Sequence, residues 1–288
     1  MQGSRYRIPM SSPYGRTTRH TALQARRIND SNARRFTPRT ALITGATAGI
    51  GAEFARQLAR HGYDVVLVAR DRERLEAKAA ELAQEHGVFA TALPADLMTP
   101  EGLAAVEERL SAATTPIDLL VNNAGFGLRG AFDTNPLEDE LGHLDLLVTV
   151  PMRLSHVALQ QMLPRSTGTI INIASVAGYT PRGTYGAAKA WVLSFSRWAN
   201  LYYRPRGITV TGVAPGFVHT EFHDRMEVSK DSVPSFMWLT AEQLVTGALR
   251  DVAKRKAISI PSLRYKVVVW LASWLPARVV AAGALRGR

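Results

Sequence analysis

The sequence predicts an α/β fold: three layers, doubly wound around a seven-stranded, mostly parallel sheet. Three observations carry this. Short apolar runs alternate with longer amphipathic stretches from Thr40 onward, the pattern of a sheet whose strands are joined by helices. Several runs are apolar on consecutive positions, as strands covered on both faces are. The amphipathic stretches close on glycine, which suits a helix C-terminus.

In order, the strands are TALITG (40–45), DVVLVA (64–69), FATALPA (89–95) and DLLVNN (118–123), then GTIINIAS (168–175), GITVTGVA (207–214) and KAISIP (256–261). GAEFARQLARHG and RERLEAKAAELAQEHG are two of the intervening helices. No internal repeat is present, so residues 39–288 read as one domain with a sizeable core.

Composition narrows the function classes. With 46% hydrophobic and 20% charged residues, the chain reads as a soluble globular protein. The absence of cysteine excludes disulfides, thiolate metal sites and cysteine nucleophiles, and fits a reducing, cytoplasmic location. No apolar run reaches the length of about 18 residues that a membrane span needs. The formal charge of +11 is concentrated in the first 39 residues, where nine arginines face Asp30 alone. Residues 1–38 therefore read as a basic, disordered tail, with organellar targeting or polyanion binding as alternatives. The remainder is nearly charge-balanced, which argues against nucleic acid as a partner.

The segment ALITGATAGIGAEFA passes from strand to helix with glycines at 45, 49 and 51. A pyrophosphate needs close backbone approach, free N–H groups and the positive end of a helix dipole, and a β-carbon at these positions would crowd it. TYGAAKA (184–190) places Tyr185 and Lys189 one helical turn apart, on one face. A nearby ammonium would favour the phenolate and make Tyr185 a useful acid or base, and the coenzyme ring implied below would add to it. NNAG (122–125) and PGFVHT (215–220) complete the motifs.

TGATAGIG, NNAG, YGAAK and PGFVHT, in that order over about residues 40 to 261, resemble the short-chain dehydrogenase/reductase family in its classical form. The resemblance implies a Rossmann fold and alcohol–carbonyl interconversion with a nicotinamide coenzyme. It implies that Gly45, Thr47, Ala48, Gly49, Ile50 and Gly51 hold the dinucleotide, with Asp96 and Leu97 at the adenine. Asn123, Ala124 and Gly125 match the residues that wall the cofactor. Pro215, Gly216, Val218 and Thr220 match the segment that grips the nicotinamide carboxamide. Tyr185 and Lys189 also contact the coenzyme, and Ser175 matches the serine that orients the substrate oxygen. At the end of the second strand Ala69 stands where NAD-type relatives carry an acid, and Arg70 follows, which favours NADP(H) over NAD(H). Asp71 and Arg72 beside it blur that signal.

Two positions depart from the family pattern. Ser175 and Tyr185 are ten positions apart, about three fewer than in most relatives, with Tyr179 as a pocket-lining residue between them. Leu147 falls where the family carries an asparagine that holds a water linking the lysine to solvent, which leaves Thr149 as another route for proton resupply. A cofactor-binding sensor or scaffold with weakened chemistry is the alternative function.

No metal is expected. His219 and His223 lie four apart beside Glu221 and Asp224, but no third ligand is dictated. A lid over 217–240 carries Phe217, Phe222, Met226, Val233, Phe236, Met237, Trp238 and Leu239, and it either admits a small hydrophobic carbonyl or alcohol or packs onto the core. The apolar segment 264–280, between basic flanks, suits a membrane surface or a partner subunit. Family members pair through helices flanking the fifth strand, which implies a homodimer or homotetramer.

Overall fold

Successive residues of a strand point to opposite faces. Here both faces are apolar, so both must be covered. The computed structural model describes residues 39–220, 234–276 and 278–280. Its elements begin with β1 (Thr40–Thr44), α1 (Gly49–Arg60), β2 (Asp64–Ala69), α2 (Arg72–His86), β3 (Ala90–Pro94), α3 (Pro100–Ser111) and β4 (Leu119–Asn122). They continue with α4 (Leu137–Leu144), α5 (Val150–Met162), β5 (Gly168–Ile173), α6 (Gly183–Tyr203) and β6 (Ile208–Val213). The chain ends with α7 (Ala241–Ala253), β7 (Ile258–Ser259) and α8 (Leu263–Trp274).

Alternation along the strands sorts the core into two halves. Ala41 and Ile43 of β1 pack with Phe54, Leu58, Leu75, Leu82 and Val245, from α1, α2 and α7. Leu42, between them in sequence, packs with Leu103, Val106, Leu154, Met162 and Ala199, from α3, α5 and α6. The result is helices on both faces of one sheet.

Strand order is β3-β2-β1-β4-β5-β6-β7, and every pairing is parallel. After β3 the chain returns to the far side of β1, so the connections leaving β1 and β4 diverge. A crevice opens at the carboxyl ends of those strands, the usual ligand position in such sheets.

Local chemistry sets the helix ends. Asp71 caps α2 by accepting the Arg74 N–H at 3.1 Å, and Gly87 closes it at φ 66°. Thr99 caps α3 with Pro100 in its first turn, and Thr240 with Gln243 forms a capping box on α7. Between α4 and α5 the helix widens into a π-turn over Asp145–Thr149, which turns the consecutive Leu146 and Leu147 inward. Strand β7 is shorter than expected, pairing only Ile258 and Ser259 with β6. Among the described residues no helix is long and apolar enough to cross a membrane. The basic tail, 1–38, lies outside the described residues.

Candidate active site

The turn from β1 into α1 forms the floor of the crevice. Gly45 and Gly49 adopt φ of 66° and 56°, a left-handed backbone that side chains disfavour. A β-carbon on Gly51 would stand 2.2 Å from the Gly45 carbonyl oxygen and 2.4 Å from Asn123 Nδ2. Gly51 is buried behind the turn and, unlike Gly45, Thr47, Ala48, Gly49 and Ile50, does not line the crevice. Its missing side chain leaves clearance for the Gly45 carbonyl and the Asn123 amide. The α1 N-cap is Ala48, which offers no side-chain acceptor to the first-turn N–H groups. Those donors and the positive end of the helix dipole stand at the crevice.

At the carboxyl end of β2, Arg70 is exposed and lines the crevice. Of its charged neighbours, Asp71 also lines the crevice but caps α2 with its carboxylate, and Arg72 pairs with Glu76 at 3.3 Å. Arg74, on the first turn of α2, also lines the crevice and was missed from sequence. Its signal was a further arginine at the start of a helix that opens on the crevice rim. Asp96 and Leu97 line the same end, with Asp96 accepting the Met98 N–H at 3.0 Å.

Asn123 ties the two diverging strands together. Its Nδ2 donates to the carbonyls of Thr44 and Gly45 at 2.9 and 3.1 Å. Thr44 Oγ1 accepts the N–H groups of Asn123 and Ala124 at 2.9 and 3.0 Å and donates to the Val121 carbonyl at 3.2 Å. Asn123, Ala124 and Gly125 all line the crevice.

Beyond β5, Ser175 enters a tight 3-10 turn, Val176–Tyr179, before α6 begins. That turn absorbs the shortened spacing, and the side chains of Ser175 and Tyr185 are hydrogen-bonded to each other. Ser175 Oγ also accepts the Ala177 N–H at 3.1 Å. Lys189 is buried, donates to the Ile173 carbonyl at 2.8 Å, and holds its Nζ 5.7 Å from the Tyr185 ring centroid. Tyr179 lines the crevice with its ring and accepts Arg197 at 3.0 Å through its hydroxyl.

Burial dominates the titration of this pair. It pushes the Tyr185 phenol up, offset only in part by the Ser175 hydrogen bond and the Arg182 charge. It pushes the Lys189 ammonium down to about 8. The sequence argument expected the phenol to fall with an ammonium and an oxidised nicotinamide ring together beside it. The protein's own groups do not supply that shift, because Lys189 is drawn to the Ile173 carbonyl and lies over the phenol ring.

Leu147 is buried and lines the crevice, its Cδ2 2.8 Å from where a β-carbon on Gly125 would stand. Thr149 Oγ1 instead donates to Asp145 at 3.0 Å, and Thr149 does not line the crevice. The π-turn presents Leu147 to the crevice and turns Thr149 back on its own helix.

The short chain dehydrogenase family profile matches residues 39–231. The chain belongs to the classical short-chain dehydrogenase/reductase family. It is an oxidoreductase acting on CH–OH groups. One relative is the very-long-chain 3-oxoacyl-CoA reductase of Anas platyrhynchos, 32% identical over 249 residues that cover 83% of this chain and 77% of the relative. A short-chain dehydrogenase from Sphingobium yanoikuyae, solved in complex with NADPH, is 38% identical with a TM-score of 0.75, over 83% of this chain and 96% of that one. The bulky-bulky ketone specific alcohol dehydrogenase from Comamonas testosteroni is 34% identical with a TM-score of 0.72, over 84% and 96%.

In this short-chain dehydrogenase/reductase the far side of the crevice is apolar. Pro215, Gly216, Val218 and Thr220 line it, and the Thr220 side chain lies 3.1 Å from where a Gly49 β-carbon would stand. The described ends of the segment 217–240 are joined: His219 donates its N–H to the Leu239 carbonyl, and Leu239 its N–H to the Phe217 carbonyl, each at 3.0 Å. Phe222, Met226, Val233 and His223 lie outside the described residues. His219 stacks on Trp238 at 4.7 Å, Met237 lines the crevice, and Phe236 is exposed.

Sequence reading missed Tyr265. Its hydroxyl accepts the Phe217 N–H and donates to the Met237 carbonyl, both at 2.8 Å. Its ring occupies the space beside Gly216, where a β-carbon would come within 1.9 Å. Helix α8, expected at a membrane or a partner, places Val268, Leu271 and Ala272 at the crevice, with Leu275 at its C-cap, although Val268, Leu271 and Leu275 remain exposed. The same helix leaves Leu263, Val267, Trp270 and Trp274 exposed. Its only sequence signal was an apolar character on every face.

Proposed function

We propose that the protein is an NADP(H)-dependent oxidoreductase that interconverts a hydrophobic ketone or aldehyde and its alcohol, with Tyr185 as acid/base. One observation carries this: Ser175, Tyr185 and Lys189 converge on the crevice beside the glycine turn. The residues present fit a dinucleotide. The turn is a cradle that β-carbons would fill, α1 begins without a side-chain cap, and Arg70 after β2 and Arg74 on the first turn of α2 both line the crevice. Arg70 and Arg74 would take the 2′-phosphate, and Val218 with Thr220 would hold the nicotinamide end.

The coenzyme, when bound, supplies or accepts the hydride at the substrate carbon. Ser175 holds the substrate oxygen. Burial keeps the Tyr185 hydroxyl protonated, so it gives its proton to a carbonyl oxygen in the reducing direction and recovers it in the other. Lys189, one turn along α6 with its Nζ at the Tyr185 ring face, would hydrogen-bond the coenzyme's ribose hydroxyls and keep it in register with Tyr185.

The crevice encloses about 1610 Å³, larger than the roughly 300–1,000 Å³ of a single small-molecule site. Phe217, Met237, Val268, Leu271 and Leu275 line it and support a hydrophobic substrate. The exposed Trp270 and Trp274, with Arg264, Lys266 and Arg278 nearby, support peripheral contact with an anionic membrane. Trp198, Leu201 and Tyr202, exposed on α6 beside β5, support a homodimer or homotetramer.

The experiment is NADPH titration together with a panel of ketones and aldehydes. Tyr185→Phe is expected to abolish turnover and leave NADPH binding nearly intact. Turnover equal to wild type in that variant refutes the mechanism. Leu147 in the crevice favours the second reading, a cofactor-binding sensor. NADPH binding without hydride transfer to any member of the panel would establish it.

A further inference from the structure

Helix α4 buries two ionisable side chains behind the crevice. Glu140 and His143 are 7% and 1% exposed, and neither lines the crevice. Three residues apart, they share one helix face. Covering polar groups is costly unless they are paired, and their partners lead to one place.

Glu140 Oε2 accepts the Thr184 hydroxyl at 2.7 Å, and Oε1 accepts Asn135 Nδ2 at 2.8 Å. These bonds hold its carboxyl below the ordinary range, so it is a carboxylate. Thr184 immediately precedes Tyr185 in the first turn of α6, a helix whose N-cap, Arg182, makes no side-chain cap bond. A carboxylate suits that position, where the helix dipole is positive.

His143 Nε2 lies 3.1 Å from the Phe126 carbonyl oxygen. A carbonyl only accepts, so Nε2 carries the proton. The imidazole is stacked on the Tyr185 ring, with centroids 6.0 Å apart and planes 24° from parallel. Its other contact is the tilted Phe126 ring, 5.3 Å away. His143 therefore wedges between the loop after β4 and the tyrosine. Glu140 and Lys189 are the charges that act on it, and burial keeps it neutral between them.

We propose that Glu140 and His143 form a positioning site for Tyr185: the carboxylate anchors the first turn of α6 through Thr184, and the imidazole ring sets the plane of the phenol. This rests on Tyr185 being the acid/base of the proposed reaction. Neither residue touches the reacting atoms. Their effect is geometric, and a displacement of about 1 Å at a reacting group can cost on the order of a hundredfold in rate.

Three replacements separate ring from donor. His143→Phe keeps a ring without the donor, His143→Asn keeps a donor without the ring, and His143→Ala removes both. Each is assayed for kcat with the best ketone of the panel, for the NADPH dissociation constant and for thermal midpoint. Expected for His143→Ala is a fall in kcat of about tenfold or more, with the NADPH dissociation constant within about twofold. His143→Phe should recover most of the loss, and His143→Asn should not. Glu140→Gln and Thr184→Val should each lower kcat, and their double variant should fall no further than the worse single one. Wild-type kcat in His143→Ala overturns the proposal, as does recovery in His143→Asn equal to that in His143→Phe. A kcat loss matched by equal weakening of NADPH binding also overturns it. If His143→Ala does not fold, the Phe and Asn variants decide between them. Tyr185→Phe is run alongside: unchanged turnover there defeats the acid/base reading itself, whereas a dead Tyr185→Phe with a fully active His143→Ala defeats only the positioning.

Discussion

The Lys189 ammonium is anchored to the carbonyl of Ile173, the last residue of β5, at 2.8 Å. A helix side chain is thus referenced to the end of the central sheet. The distance between the crevice floor and the Tyr185 face of α6 is set by that contact as well as by helix packing.

The burial of Lys189 makes stability depend on pH. Burial lowers the folded-state value of Lys189 from 10.5 to about 8. Between those values the unfolded chain holds a proton that the folded chain has released, so stability from this group rises with pH across that window. The full gain is about 3 kcal/mol. Lys189→Met should flatten the rise. Urea unfolding of both proteins from pH 7.5 to 10 checks it, and parallel slopes would contradict it.

Arg70 is expected to discriminate between the coenzymes. Losing one charge-assisted phosphate contact costs about 1.5–3 kcal/mol. Arg70→Ala should therefore weaken NADPH binding by roughly 10- to 100-fold and NADH binding by less than about twofold. Calorimetric titration of both coenzymes reads this directly. Equal losses would mean that Arg70 does not meet the 2′-position.

Gly51→Ala should damage the turn itself. Its β-carbon would meet the Gly45 carbonyl oxygen at 2.2 Å, a backbone atom that cannot swing away. A cost of roughly 1–3 kcal/mol and loss of NADPH binding are expected. Gly62→Ala is the control: nothing lies within 4 Å of its β-carbon, although its φ is 78°. It should lose some stability and keep coenzyme affinity. Thermal melting with NADPH titration separates the two, and intact binding in Gly51→Ala would show that the backbone yields.

Tyr265→Phe should loosen the lid without touching the coenzyme turn. The missing hydroxyl leaves the Phe217 N–H and the Met237 carbonyl without this partner, a loss of about 1–3 kcal/mol. The KM for the ketone should rise while the NADPH dissociation constant stays put. An unchanged KM would show that Tyr265 serves packing alone.

What the chain announced by itself was everything that depends on neighbours in sequence. Period-2 and helical patterning predicted the strands and layers, and each motif lies within a stretch of under ten residues. Gly45 to Gly51 and Tyr185 to Lys189 are legible because their chemistry is local: a turn, or one face of one helix. Arg74, His143, Tyr265 and the crevice-facing side of α8 were not. His143 and Tyr265 acquire their roles from partners far along the chain, as Tyr265 does from Phe217, 48 residues away, and Arg74 and α8 from where the crevice opens, which no spacing rule encodes. The protonation of Tyr185 was decided in the same way. Sequence shows a cation one turn off, but only the folded environment decides whether that charge or desolvation acts more strongly on the phenol, and here desolvation does.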